Sequence, residues 1–136
     1  MKDTSFVKEI YASSEYAFSL ILSVVRNLPQ ASRSSLAYKW REVEDNFRGV
    51  ELRGKNLGIV GFGRIGQEVA KIGIGVGMNV IFYDLHNKKA EIEIDFFDRS
   101  SKKFELDSTT FDELLKKSDF ISLHVPAQKD YIIGDK

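Results

Sequence analysis

The stretch GIVGFGRIGQEVAKIGIGVGMNV, residues 58–80, decides the fold because its two glycine clusters lie in opposite structural contexts. The first cluster, residues 61–66, has the spacing G-x-G-x-x-G. It follows the apolar run of residues 57–60, typical of a strand buried on both faces, and leads into apolar residues at helical spacing. The second cluster, residues 73–77, closes that helix before the next predicted strand, residues 79–84. The stretch therefore predicts a strand, a helix and a second, parallel strand.

The first cluster predicts a binding site for a nucleotide pyrophosphate. A turn from a buried strand into a helix exposes backbone N–H groups at the positive end of the helix dipole. Gly61 allows the tight turn, Gly63 allows close approach of the pyrophosphate, and Gly66 allows the helix to pack on the strand. Asp84 lies 23 residues after Gly61, at the end of the next strand, where a carboxylate can bind a ribose diol. A tight turn without a ligand is the alternative that these features together disfavour.

The carboxylate of Asp84 also indicates which dinucleotide binds. A negative charge at this position repels the 2′-phosphate of NADP and accepts a hydrogen bond from the free hydroxyl of NAD. Lys88 and Lys89 follow closely and can hold a phosphate, although a solvated loop is the simpler assignment for them. We predict NAD as the cofactor.

The second cluster is predicted to be structural. Gly77 is placed to end the helix in the left-handed conformation. Gly73 and Gly75 each weaken the last turns by about 1 kcal/mol relative to alanine, and close packing against a neighbouring element would compensate for this loss.

The remainder of the chain extends the strand–helix–strand unit into an open α/β sheet. Residues 13–42 predict two helices, and the alternating pattern of residues 91–106 predicts an antiparallel hairpin. Residues 110–126 predict a short helix with a capping box, a buried strand and a loop. The pattern predicts an open α/β fold with a parallel sheet, an N-terminal long helix and an inserted hairpin.

The first predicted helix has apolar residues on nearly every face. It is capped by residues 13–15, covers residues 14–28 and ends at Pro29. A helix of this composition is usually buried on all sides. Two interpretations remain open: a core helix of this domain, or a helix partly buried against a second subunit.

Composition limits the classes of partner. The chain has 136 residues, with 20 basic and 20 acidic side chains that cancel, so neither a nucleic acid nor an anionic membrane is an expected partner. The chain has no cysteine, which excludes disulfides and thiolate metal sites and is typical of proteins in a reducing compartment. We predict no metal site. The amino terminus lacks the pattern of a signal peptide, and the apolar run of residues 17–25 is too short to span a bilayer. We expect a cytoplasmic protein.

Several segments together resemble one family. Residues 57–70 and 77–84, LGIVGFGRIGQEVA and GMNVIFYD, resemble the cofactor-binding domain of the D-isomer-specific 2-hydroxyacid dehydrogenases. Residues 13–30 resemble the long helix that leads into this domain, and residues 111–122 resemble the helix and strand before its cofactor loop. Residues 124–126, His-Val-Pro, resemble the H-x-P of that loop.

The resemblance implies NAD as the cofactor and assigns binding roles position by position. Gly61, Gly63, Arg64, Ile65 and Gly66 would lie along the pyrophosphate, Asp84 would hold the adenosine ribose, and His124, Val125 and Pro126 would line the ribose region. It also implies a two-fold homodimer through the helix of residues 14–28. Two departures are visible: residues 127–130 read AQKD where the family usually has threonines that contact the cofactor, and the hairpin is longer than the usual connection.

No catalytic residue is predicted. The resemblance implies that a substrate domain precedes the long helix and that the catalytic arginine, glutamate and histidine follow the H-x-P loop, a context that no residue of this chain occupies. His124 is expected to shape the loop and His86 to lie at the surface. The resemblance implies that residues 1–136 form one partial domain with a partial Rossmann-type, doubly wound parallel sheet. We therefore expect the NAD-binding portion of an NAD-dependent D-2-hydroxyacid dehydrogenase, truncated and inactive alone. A non-catalytic nucleotide-binding or dimerisation module is the alternative, and a methyltransferase-like site fits the third glycine and the H-x-P loop less well.

Overall fold

The computed structural model describes residues 11–37 and 47–126. Four helices and five strands lie in these ranges. In chain order they are α1 (Ala12–Val25), α2 (Leu28–Leu36), β1 (Asn56–Val60), α3 (Arg64–Gly75), β2 (Asn79–Tyr83), β3 (Lys89–Asp95), β4 (Ser101–Asp107), α4 (Phe111–Lys117) and β5 (Phe120–Leu123). The predicted helical residues 38–42 and the AQKD segment, residues 127–130, lie outside the described residues.

The central sheet is parallel, with the strand order β2-β1-β5. In this sheet Gly58 of β1 lies opposite Ile81 of β2 and Ile121 of β5. The predicted strand–helix–strand unit and the open α/β architecture are therefore confirmed. Because the connections between these strands run through helices, the carboxyl ends of all three strands meet at one edge of the sheet.

Helices cover both faces of β1, which explains why this strand is a continuous apolar run. Leu57 and Ile59 are fully buried on the face that packs against α3. On the other face α4 lies so close that a side chain at Gly58 would overlap Ser118 and Leu114. Alternate residues of a strand point to opposite faces, so both sets must be apolar or small.

Helix α4 starts at the predicted cap. The hydroxyl of Thr110 accepts a hydrogen bond from the Glu113 N–H at 3.2 Å, which satisfies one of the unpaired donors of the first turn. The carboxylate of Glu113 bonds back to the hydroxyls of Thr109 at 2.6 Å and Thr110 at 3.3 Å. The cap fixes the start of α4 beside the carboxyl end of β2.

The end of α3 explains two of the three glycines in the second cluster. Gly77 has a φ of +87°, its N–H bonds to the Ile74 carbonyl, and the Met78 N–H bonds to the Gly73 carbonyl, both at 2.9 Å. This is the left-handed helix end that was predicted. A Cβ atom on Gly73 would lie 2.9 Å from Leu57, so close packing accounts for that glycine. Nothing in the structure explains Gly75, since a Cβ there would meet no atom within 4 Å.

Strands β3 and β4 form the predicted antiparallel hairpin, with Lys89 opposite Asp107 and Asp95 opposite Ser101. Its inner face packs against α3 and includes Ile92, which is buried. Its outer face carries cross-strand ion pairs. Just after β4, Ser108 pairs with Phe82 in parallel, so the chain beyond the hairpin runs along the outer edge of β2.

Helix α1 differs from the prediction in its bounds. It begins after Tyr11, which caps it without a side-chain bond, so the predicted serine cap is wrong. Ser14 lies in the first turn and donates to the Tyr11 carbonyl at 2.7 Å. The helix ends at Val25 because Asn27 has a φ of +51°, which breaks the helical path. Pro29 therefore lies in the first turn of α2, where its missing N–H costs nothing.

Burial along α1 is one-sided. Phe18 and Val25 are 3% and 4% exposed and join the core, whereas Tyr16, Leu20 and Val24 are 67%, 51% and 73% exposed. The interpretation of α1 as a helix buried on all sides within this chain is therefore wrong. Within residues 11–37 and 47–126, no helix is both long enough and apolar enough to span a membrane.

Candidate nucleotide-binding site

The turn between β1 and α3 starts at Gly61, and only glycine fits there. Its φ of +89° lies in the region that side chains disfavour. A Cβ atom at this position would also lie 2.6 Å from the carbonyl oxygen of His124. The Gly61 N–H donates to the Tyr83 carbonyl at 2.9 Å, which ties the turn to the end of β2.

Gly63 and Gly66 fulfil different conditions. A Cβ atom on Gly63 would meet no atom within 4 Å, so the backbone there faces open space from which a ligand can approach. Gly63 directly precedes α3, whose first N–H groups have no partner within the helix. A Cβ atom on Gly66 would overlap the carbonyl oxygen of Gly61 and lie 3.2 Å from Ile59. The packing role predicted for Gly66 is therefore confirmed.

Phe62, the residue between the first two glycines, is held by three side chains. Its ring is fully buried and stacks on Phe82 with 4.0 Å between ring centroids. Its N–H donates to Asp84 Oδ2 at 2.7 Å. Its carbonyl accepts a hydrogen bond from Gln67 Nε2 at 3.1 Å. These bonds connect the glycine turn to β2 on one side and to α3 on the other.

Asp84 accepts three backbone hydrogen bonds. Besides the bond from Phe62, its Oδ1 accepts from the N–H groups of His86 and Asn87, each at 2.8 Å. Burial alone would raise the pKa of Asp84, but the backbone bonds from Asn87, Phe62 and His86 outweigh it and hold the pKa below its ordinary value. Asp84 is therefore ionised at neutral pH. A carboxylate has about four acceptor positions, so one remains for a ligand hydroxyl.

The loop after β5 forms the opposite wall. The His124 N–H donates to the Val60 carbonyl at 2.8 Å, and His124 Nε2 lies 2.8 Å from the Ser122 hydroxyl. Burial lowers the pKa of His124 below its ordinary value, so the ring is neutral at pH 7. The side chain of Val125 packs against Gly61.

The glycine turn, the residues that follow β2 and the loop after β5 enclose a cleft of about 640 Å³ at the carboxyl edge of the sheet. Six of the nine predicted cofactor-binding residues line it: Gly61, Gly63, Asp84, His124, Val125 and Pro126. Of the other three, Arg64 begins α3, Gly66 is buried beneath the turn, and Ile65 lines a second cavity.

The remaining lining residues were not predicted. They are Val60, Tyr83, Leu85, His86, Asn87 and Phe111. Most could have been found from the rule that ligands bind beyond the carboxyl ends of parallel strands, since residues 85–87 directly follow β2. Phe111 has no such signal, because only folding brings α4 beside β2 and places the ring centroids of Phe111 and Tyr83 5.4 Å apart.

A second cavity of about 480 Å³ lies between α1 and β5. Its α1 side includes Tyr16, Leu20 and Val24, and its other side is the β5 strand itself. β5 is the last strand in the order of the described sheet, so its outer edge has no strand partner among the described residues. We call this apolar cavity the α1–β5 groove. Of the residues that line it, only His124 also lines the nucleotide cleft.

Comparison with known proteins identifies the family of this chain. A sequence profile described as the NAD binding domain of the D-isomer specific 2-hydroxyacid dehydrogenases matches residues 18–133. The chain belongs to this family. The family confirms NAD as the cofactor predicted from Asp84, and it confirms the predicted Rossmann-type fold class.

Relatives in the family carry several activities. Glyoxylate reductase of Thermococcus litoralis is 40% identical over 133 residues, covering 92% of this chain and 37% of that protein. D-3-phosphoglycerate dehydrogenase of Methanocaldococcus jannaschii is 42% identical over 113 residues, covering 83% and 20%. The crystal structure of NAD-dependent formate dehydrogenase from Staphylococcus aureus in complex with NAD superposes with a TM-score of 0.68 at 29% identity, covering 88% and 32%. The chain thus spans between a fifth and two fifths of the length of these proteins.

Proposed function

We propose that this chain is the NAD-binding portion of an NAD-dependent D-2-hydroxyacid dehydrogenase, with residues 1–136 forming one partial domain. The observation that carries the proposal is the convergence of the glycine turn and Asp84 on one cleft, joined by the 2.7 Å bond from the Phe62 N–H. D-3-phosphoglycerate is the first substrate to test for the whole enzyme, because a relative at 42% identity is a D-3-phosphoglycerate dehydrogenase.

The proposed residue roles are those that the family resemblance implies, and six of the nine residues line the cleft. Gly61, Gly63, Arg64, Ile65 and Gly66 lie along the pyrophosphate, Asp84 binds the adenosine ribose, and His124, Val125 and Pro126 line the ribose region. The open backbone at Gly63 and the start of α3 supply N–H donors for the anion. NAD bound here supplies the hydride acceptor or donor, and the chain's own residues orient it.

The first experiment titrates the protein with NAD and with NADP by calorimetry. We expect NAD to bind at least about tenfold more tightly, because the ionised Asp84 bonds the ribose hydroxyl and repels a 2′-phosphate. Asp84→Ser should reduce this preference, whereas Asp95→Ser, the same change at an exposed position of the hairpin, should not. Equal affinity of the wild type for both dinucleotides, or no binding of NAD, would contradict the proposal.

The same samples test whether the chain is inactive alone. Hydride transfer to a keto acid needs a cation for the carboxylate and a proton donor for the carbonyl oxygen. Among the described residues that line the cleft, none is a lysine or an arginine. We expect no change in NADH absorbance with hydroxypyruvate, pyruvate or glyoxylate, and clear turnover would refute this part of the proposal.

A second function, self-association, is favoured by α1. Tyr16, Leu20 and Val24 form an exposed apolar stripe at four-residue spacing beside the α1–β5 groove. Monomeric proteins rarely leave such a stripe uncovered next to an apolar groove. We propose a homodimer through the helix of residues 14–28, with NAD(H) as the small-molecule partner. The balanced charge and cysteine-free composition support a cytoplasmic protein that binds neither nucleic acid nor membrane.

A further inference from the structure

Gln67 binds two successive carbonyl groups of the glycine turn. As part of α3, its backbone N–H donates to the Gly63 carbonyl at 2.9 Å. Its side-chain Nε2 donates to the preceding carbonyl, that of Phe62, at 3.1 Å. Gln67 is partly buried and does not line the cleft. A direct contact with a ligand in the cleft therefore does not explain its geometry.

The two peptide groups on either side of Phe62 need hydrogen bonds from side chains because both adjoin a glycine. Gly61 and Gly63 lack side chains that could restrict them, and glycine loses more conformational freedom on ordering than any other residue. A turn that binds a phosphate through backbone N–H groups must present them in one direction. If the ligand itself had to order the turn, that cost would be subtracted from the binding free energy.

We propose that Gln67 and Asp84 are positioning residues that hold the two peptide groups on either side of Phe62 and so order the glycine turn before the cofactor binds. Gln67 fixes the Phe62 carbonyl, Asp84 fixes its N–H, and Phe82 anchors its ring. This inference rests on the proposed function, since the pyrophosphate is the group that the ordered turn receives. It also gives Asp84 a role besides the ribose contact.

The test removes the side-chain donor without changing the cleft wall. Gln67→Leu keeps the size of the side chain and cannot donate, and Gln67→Glu keeps its shape while its ionised carboxylate cannot donate either. Gln30→Leu, on an exposed face of α2, is the matched control. Hydrogen exchange of the Phe62 amide, which donates to Asp84, is measured in the unliganded proteins. Both Gln67 variants should exchange there about fivefold faster, the effect of losing one hydrogen bond.

Binding measurements separate positioning from a general loss of stability. NAD should bind about fivefold more weakly to both Gln67 variants, because its pyrophosphate contacts the turn, while the affinity for adenosine should stay unchanged. Adenosine affinity that falls as much as NAD affinity would overturn positioning in favour of a general structural role. Unchanged exchange in both Gln67 variants, or an equal change in Gln30→Leu, would also overturn it. If wild type failed to bind NAD while the Gln67 variants exchanged faster, the positioning role would stand and the proposed function would fail.

Discussion

His124 belongs to both the nucleotide cleft and the α1–β5 groove. Its backbone is fixed by the 2.8 Å bond to the Val60 carbonyl, and its ring is fixed by the Ser122 hydroxyl at 2.8 Å. Burial lowers the pKa of His124, so protonating this ring in the folded protein is less favourable than in the unfolded chain. The stability of this wall of the cleft therefore depends on pH.

The pH dependence of His124 can be measured by thermal unfolding. Because the folded-state pKa is depressed from 6.5, the contribution of His124 is fully present above about pH 6.5 and is lost as the pH falls through the folded pKa. We expect the melting temperature to fall between about pH 7 and about pH 5. His124→Gln should flatten this slope, and His86→Gln, the same change at an exposed position, should retain it. An identical slope in both variants would contradict the assignment.

The glycines around α3 and the side chains that bond to the glycine turn are predictable from sequence to different degrees. Gly61, Gly66 and Gly77 follow from spacing, because each sits at a fixed distance from a strand or helix end that the apolar pattern reveals. Spacing along the sequence does not predict the hydrogen bond from the Phe62 N–H to Asp84 or the one from Gln67 to the Phe62 carbonyl. Side-chain bonds to a turn depend on where folding places the chain, and Asp84 lies 22 residues from Phe62 along the chain.

At the scale of elements, the last turns of α3 contain one glycine that is closely packed and one that is not. A Cβ atom on Gly73 would press against Leu57, which is fully buried beneath it, whereas one on Gly75 would meet no atom within 4 Å. Both positions are helical, so alanine would reduce the conformational entropy of the unfolded chain equally at each. The local environment alone should therefore decide the sign of each substitution.

Gly73→Ala and Gly75→Ala form a matched pair for urea unfolding. Gly75→Ala should raise the free energy of unfolding by about 0.5–1 kcal/mol, because alanine favours helix over glycine and fits without contact. Gly73→Ala should lower it by about 1 kcal/mol or more, because displacing Leu57 from a packed core costs more than the helix gains. Equal stabilisation by both would show that the packing between α3 and β1 yields to a methyl group.

The bounds of α1 and α2 show why element ends are harder to predict than element types. The apolar pattern of α1 continues through Leu28, so the prediction extended the helix to Pro29. The helix breaks earlier, at Asn27, whose left-handed conformation is permitted to asparagine but not demanded by it. Proline then starts α2 instead of stopping α1, since the first turn of a helix accepts it.

At the scale of the whole molecule, the outer edge of β5, which has no strand partner in the described part of the chain, and the exposed stripe of α1 lie on the same side. The carboxyl edge of the sheet holds the cleft, and the α1–β5 groove borders it through His124. A second copy covering the groove would remove apolar side chains from water without blocking Gly63 or Asp84, which face the cleft. Dimerisation and cofactor binding are therefore compatible in one molecule.

Light scattering at micromolar concentration tests this association. We expect a mass near twice the chain mass of 15.5 kDa. The double variant Leu20→Gln, Val24→Gln should give the mass of one chain, since each buried aliphatic side chain stabilises the interface by about 1.5–3 kcal/mol. Phe97→Gln, at the fully exposed hairpin turn, is the control and should remain dimeric. A monomeric wild type would refute the dimer. A dimeric double variant would show that association does not require the apolar stripe of α1. A monomeric Phe97→Gln would place the hairpin turn in the interface, and either result would contradict the proposed interface.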